Sequence, residues 1–151
     1  MEVKGSKILK GFATKFGSKK LEDFLEIEGP VIAEMYKEAL ISNIKRNKFG
    51  FKLAQSTIQA RIRSGVTSTT PFIWTGDYLK AIIIDGSSVT VKSGKHVSGL
   101  TYSELSFILE HGRRDRGIPP RPVWRLTLED VTPKIQKHLS KKLLEFYTKK
   151  K

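Results

Sequence analysis

The chain has 151 residues, 38% of them hydrophobic and 28% charged, with a formal net charge of +13 and no cysteine. That length predicts one domain with a modest core, and the missing cysteines exclude disulfides and thiolate metal sites. The longest aliphatic run, Ala81 to Ile84, is far too short to span a bilayer, and no apolar stretch follows the N-terminal lysines as a secretory signal requires. The expectation is a soluble, unprocessed protein away from membranes. The apolar share is slightly low for a globular domain, which predicts a part exposed or ordered only by a partner.

Residues 1–20 are rich in lysine, glycine and serine and read as a flexible basic arm, with Ile8, Leu9 and Phe12 as docking residues. Residues 21–148 read as a single domain, and 149–151 as a basic tail. Leu21, Phe24, Leu25, Ile32, Met35, Tyr36, Ala39 and Leu40 recur at helical spacing. Gly29-Pro30 interrupts that stripe and predicts a main helix from about Pro30 to Arg46. Ala54, Ile58 and Ile62 predict a short helix closed by Ser64-Gly65. Val66 to Thr70 reads as a loop and Tyr78 to Ile84 as an apolar strand. Asp85-Gly86 is a hairpin signal, with Ser88 to Lys92 alternating as the returning strand.

Tyr102 to Glu110 reads as a short helix stopped at Gly112. The stretch from Glu110 to Arg125 then combines Arg113, Arg114 and Arg116 with Pro119, Pro120, Arg121, Pro122 and Trp124. An arginine between prolines has a stiff backbone and a long charged reach, which suits docking outside the domain. The plainer alternative is a proline-shaped turn with Trp124 in the core and Arg121 in water. Acidic residues after Thr127, or Pro133, predict the start of a long amphipathic C-terminal helix carrying Val131, Ile135, Leu139 and Leu143. The predicted class is α+β: helices packed on a small, mainly antiparallel sheet with a β-hairpin.

No enzyme or cofactor signature is present. His96, His111 and His138 are scattered without ligand spacing, and Glu110 and His111 would point about 100° apart on a helix. Glu104, Glu110 and Asp115 could in principle make a nuclease carboxylate cluster, but nothing in their spacing favours that over helix surface acids. The charge points instead to polyanions: nucleic acid first, an acidic protein second. Basic residues fall in Lys4 to Lys20, Arg113 to Arg125 and Lys134 to Lys151, which suits a diffuse positive surface over a compact sequence-reading motif.

Two stretches together resemble the bacteriophage virion-morphogenesis and tail-completion proteins of the head–tail junction. The first runs from Leu53 through Ser56, Thr57, Ile58 and Arg61 to Pro71, Thr75, Gly76, Leu79 and Ile82. The second runs from Tyr102 through Phe107, Ile108, His111 and Gly112 to Ile118-Pro119-Pro120-Arg121-Pro122 and Glu129-Asp130. It is similar to the family's Ile-Pro-Ala-Arg-Pro loop, with Pro120 replacing the small residue. The resemblance implies a non-enzymatic virion protein, assembled in the host cytoplasm. It implies a homo-oligomeric, commonly hexameric, ring between a portal, connector or head-closure protein and a tail tube or terminator protein. Arg113, Arg114, Arg116, Pro119, Pro120, Arg121, Pro122 and Trp124 would form the subunit or partner interface. Pro71, Thr75, Gly76 and Leu79 would lead the chain into the hairpin. Lys15, Lys19, Lys20, Arg113 and Arg114 are the candidates to face packaged DNA without reading its sequence. The alternatives are a free, basic, non-specific nucleic-acid-binding protein, a tail terminator and an assembly factor.

Overall fold

The computed structural model describes residues 3–4 and 18–148. Its elements in order are β1 (Val3–Lys4), α1 (Ser18–Lys45), α2 (Gln55–Arg63), α3 (Asp77–Ala81), β2 (Ile82–Asp85), β3 (Ser88–Val91), α4 (Tyr102–His111), a 3-10 turn (Arg114–Arg116) and α5 (Val123–Thr148). The class is α+β, as the periodicities require. The sheet is antiparallel in the order β1-β3-β2, with Ile82 opposite Val91 and Asp85 opposite Ser88.

α1 and α5 form the frame and run antiparallel. Asn43 donates to Thr127, Tyr36 donates to the Trp124 carbonyl, Glu28 pairs with His138, and Phe24 packs on Phe146. Along α1, Leu21, Phe24, Glu28, Ile32, Tyr36, Leu40 and Asn43 lie three or four residues apart and are all buried. That face does not pause at Gly29-Pro30, so the helix runs through the site where the sequence predicts a break. Pro30 is exposed; it removes one backbone bond to the Glu26 carbonyl without interrupting the apolar face.

Gly29 has its own reason. A β-carbon there would lie 2.2 Å from Ser87 Oγ and 2.8 Å from Ser87 Cβ, so the hairpin tip packs directly on the helix backbone. The hairpin turns through Gly86-Ser87, with φ 59° at Gly86 and no positive φ at Ser87, the pattern of a type II′ turn.

Three further sequence expectations are corrected. Residues 77–81 form a helical turn, entered through Gly76 at φ 83°, and only Ile82 onward is strand. The C-terminal helix begins at Val123, before both Thr127 and Thr132, and Pro133 lies exposed within it. Within the span read as an arm, Val3–Lys4 pair with the otherwise open edge of β3 and α1 already begins at Ser18, while residues 5–17 lie outside the described residues. Ile8, Leu9, Phe12 and the tail at 149–151 lie outside the described residues.

Gly29→Ala is expected to destabilise the protein by about 1–3 kcal/mol through overpacking on Ser87. In a Ser87→Gly background the same change should become neutral or stabilising, since alanine outranks glycine in a helix by about 1 kcal/mol. Urea unfolding of the four proteins in that cycle checks the contact; equal effects of Gly29→Ala in both backgrounds would refute it.

Candidate functional site

The stretch joining α4 to α5 is a built loop. Thr101 and Glu104 cap α4 reciprocally, each side chain accepting from the other's backbone N–H. At the other end Gly112 has φ 76°, and a β-carbon on it would stand 2.6 Å from the Ile118 carbonyl oxygen and 2.7 Å from Pro120 N. Arg113 and Ile118 then exchange both backbone hydrogen bonds, closing a small ring around residues 114–117. Arg113 Nε is committed to Asp115 at 3.0 and 3.1 Å. Arg114 and Arg116 project into solvent, as do Pro119 and Pro120.

Arg121 and Trp124 do not reach outward, which corrects their assignment to a partner surface. Arg121 is 7% exposed; its backbone N–H donates to the Leu109 carbonyl and its guanidinium to the Lys52 carbonyl at 3.0 Å. Trp124 is 1% exposed, with its indole N–H donating to Tyr78 Oη at 3.0 Å. Tyr78 Oη shares a further 3.0 Å hydrogen bond with Ser106 Oγ. The prolines therefore fix an inward arginine, leaving the outward set as Arg113, Arg114, Arg116, Pro119 and Pro120, with Pro122 half-buried.

Glu110 explains why α5 begins where it does. From the last turn of α4 its two carboxylate oxygens accept from the N–H groups of Trp124 and Arg125, both at 3.0 Å. A carboxylate thus satisfies the first-turn donors of α5 and faces the positive end of its dipole. Burial nevertheless holds the Glu110 carboxyl above its ordinary value, against the pull of the Arg125 and Trp124 amides and the His111 and Arg125 charges. Burial likewise raises Tyr36 and Tyr78, so both stay neutral phenols that serve as hydrogen-bond partners. The carboxylates weighed as a nuclease cluster have three different jobs: Glu104 caps α4, Glu110 caps α5 and Asp115 holds Arg113. No group of three His, Cys, Asp or Glu stands together to hold a metal ion among the described residues.

Arg61 is the organising residue that periodicity misplaced. The spacing of Ala54, Ile58 and Ile62 predicts an inward Ile62, yet Ile62 is 60% exposed and Arg61 is 4% exposed. Its guanidinium donates to the carbonyls of Ser68, Thr70, Pro71 and Ile73, holding the loop that reads as free from the sequence. It also lies 5.5 Å from the ring centroid of the partly exposed Trp74. Burial lowers both Arg61 and Arg121, and the Arg121 charge lowers Arg61 further. The Nε of each has no hydrogen-bond partner among the described residues. Within the hairpin-entry set, Pro71 is buried and Thr75 Oγ1 accepts from the Asp77 N–H while donating to the Asp77 carboxylate. Gly76 turns the chain and Leu79 is half-buried. These residues lead into α3, and through it into the hairpin.

Of the candidates to face DNA, Lys15 lies outside the described residues, Lys19 belongs to the first turn of α1, and Lys20 is exposed. Positive charge also lines a groove of ≈ 850 Å³ between α1 and α5, which the sequence reading did not single out as a site.

Replacing Glu110 with alanine should cost about 2 kcal/mol at neutral pH, since it leaves one buried and one partly buried helix donor without their acceptor. The pH dependence has a definite sign. A carboxyl raised in the folded state contributes stability that is fully present below its unfolded value and lost as pH rises through the folded one. Asp130, lowered chiefly by its hydrogen bond to Lys48, runs the other way and loses its contribution as pH falls. The stability gap between the native chain and Glu110→Gln should therefore narrow as pH rises from the carboxylate range toward neutrality, measured by urea unfolding. A gap that widens instead would mean that the amides outweigh burial.

No helix among the described residues is long and apolar enough to cross a membrane. In comparisons with known proteins, no family model, no curated protein and no solved structure matches the chain.

Proposed function

We propose that this chain is a non-enzymatic structural protein of a tailed-phage virion. It forms a ring at the head–tail junction, between the portal side and the tail, around the DNA channel. The observation that carries the reading is the meeting of the two stretches that resemble the tail-completion family. Tyr78, from the first, accepts the indole N–H of Trp124, which follows the proline loop of the second, and shares a hydrogen bond with Ser106 of its helix. Arg121 reaches the Lys52 carbonyl at the edge of the first stretch. Resemblance in two separate segments means more when both build one interior.

The surface suits a chain completed by neighbours. Ile27, Ile62, Val97, Phe107 and Leu144, on five different segments, are each 59–70% exposed and available to neighbouring subunits. Arg114, Arg116, Pro119 and Pro120 stand on a loop braced from inside by Gly112 and Arg121, so they are presented to a partner in one conformation. The second reading, a free nucleic-acid-binding protein, is favoured by the basic groove between α1 and α5 and needs no ring.

Immunogold electron microscopy of purified particles, with antibody against this chain, is expected to label the head–tail junction. Light scattering on the purified protein is expected to give a closed oligomer, with six copies the favoured number. Unlabelled particles beside abundant protein in the lysate would refute the virion reading and leave the nucleic-acid-binding protein or an assembly factor.

A further inference from the structure

The arginine loop is the most conspicuous basic stretch in the sequence, but the fold places the better phosphate-binding surface elsewhere. Lys134, Lys137 and Lys141 stand at i, i+3 and i+7 of α5, hence on one face, spanning about 10 Å at 1.5 Å per residue. All three are exposed. Across the groove, the end of α1 and the turn after it contribute Arg46 and Lys48. Only two carboxylates line the same groove, Glu38 and Asp130. Asp130 is already bound by Lys48 at 2.6 Å and by Asn43 at 3.4 Å, so it is committed to bridging the two helices. From Val131 to Leu144, α5 carries no acid at all.

Cations near the end of α1 have a plainer use, since they complement its dipole. That accounts for Arg46 and Lys48. It does not account for Lys134, Lys137 and Lys141, which sit mid-helix, where the macrodipole offers nothing, and which make no ion pair with the described residues. Asp130, one turn before Lys134, feels that lysine's charge but is bonded to Lys48 and Asn43, so three like charges on adjacent turns remain mildly unfavourable in isolation. Such a row becomes favourable against a polyanion.

The lining also specifies the kind of polyanion. It contains no Phe, Tyr or Trp, so it offers no stacking platform for unpaired bases. His138 lies in the groove but its ring is held by Glu28 at 2.7 Å, and Asn43 is held by Thr127 and Asp130. Arg46, at the end of α1, is the one guanidinium fork in the lining, and it stands apart from the lysine row on α5. What remains is a row of flexible ammonium groups, which suits charge without sequence. A smaller cleft of ≈ 320 Å³ on another face of α1 carries Lys37, Lys45 and Lys80, but Ile41, Leu79 and Ile82 make half of its lining.

We propose that the α1–α5 groove, with Lys134, Lys137 and Lys141 as its principal contacts, binds the sugar–phosphate backbone of duplex DNA without sequence preference. The inference rests on the nucleic-acid contact that both functional readings include, and it moves that contact from the arginine loop to the helix pair. The full chain is titrated by fluorescence anisotropy with a mixed-sequence duplex of about 25 base pairs, from low to moderate salt. Two triple variants are compared with the native protein: Lys134→Gln/Lys137→Gln/Lys141→Gln and Arg113→Gln/Arg114→Gln/Arg116→Gln. Each removes the same formal charge, so any effect of the overall field is shared between them. The lysine triple should weaken binding at least about tenfold and flatten the dependence of log K on log salt by about three. The arginine triple should change binding by less than about threefold.

Circular dichroism checks that the helices survive. A Lys134→Arg/Lys137→Arg/Lys141→Arg variant, which keeps the charge, should bind like the native chain. The proposal is overturned, with the nucleic-acid contact intact, if the arginine triple loses binding and the lysine triple does not. It is also overturned if the lysine triple loses binding only to phosphatidylserine vesicles or polyglutamate, since a lipid surface or an acidic protein would then be the occupant. Absence of duplex binding by the native chain at low salt would remove the groove assignment and the DNA contact together.

Discussion

The structure turns on one carboxylate. Glu110 ends a short helix, and its two oxygens accept from first-turn amides of α5, the 26-residue helix that packs along α1. Because the acceptor comes from fourteen residues upstream, the start of α5 is set by tertiary structure. Everything next to that junction depends on it. Trp124 is held by Glu110 through its backbone N–H, by Tyr36 through its carbonyl and by Tyr78 through its indole. Three elements thus lock one residue with polar bonds inside an apolar core. Such bonds are costly to leave half-made, so they select a single arrangement more strongly than apolar contact does.

Buried positive charge organises the other half. Arg61 gathers four carbonyls from a loop with no regular structure, and Arg121 ties the proline loop to the Lys52 carbonyl. Neither has a carboxylate partner among the described residues, and both are pulled down by burial. Guanidinium suits this work because its donors lie in one plane and reach several acceptors together, where an ammonium offers only a point. Backbone carbonyls that helix and sheet would otherwise have satisfied are satisfied by side chains, which lets a long irregular segment lie against the core.

The difference between what the sequence discloses and what it hides follows the same line. Signals that are complete within a few residues hold: the Asp85-Gly86 signal marks a hairpin that turns at Gly86-Ser87, Gly112 stops α4, and Ser64-Gly65 closes α2. The amphipathic face of α5 is likewise local, with Val131, Ile135 and Leu139 buried as spaced. The features that escape are those decided by a distant partner. Val123 begins a helix because Glu110 caps it, although acidic residues and proline advertise later starts. Gly29-Pro30 looks like a break because its reason, the close approach of Ser87, lies in another element. Arg61 looks like a solvated neighbour of Ile62, and only the carbonyls of residues 68–73 reverse that order. For the candidate site, the outward Arg114, Arg116, Pro119 and Pro120 were legible and a core Trp124 stood as one of two readings; the inward Arg121, expected at a partner or in water, was not.

The division of labour between the two cations bears on what the surface can do. Arginine is placed where geometry matters: inside at Arg61 and Arg121, and paired at Arg113 with Asp115 and at Arg125 with Glu129. Those charges already have partners or bury their forks, so they contribute less to an outside ligand than their number suggests. Lysine dominates the groove face, where Lys134, Lys137 and Lys141 stand in water with no ion pair to the described residues. Flexible, strongly hydrated ammonium groups discriminate little between one arrangement of phosphates and another. A net charge of +13 does not by itself locate a binding surface. The folded arrangement narrows the choice, because it holds Arg61, Arg113, Arg121 and Arg125 against the protein's own carbonyls and carboxylates and leaves a row of lysines facing outward.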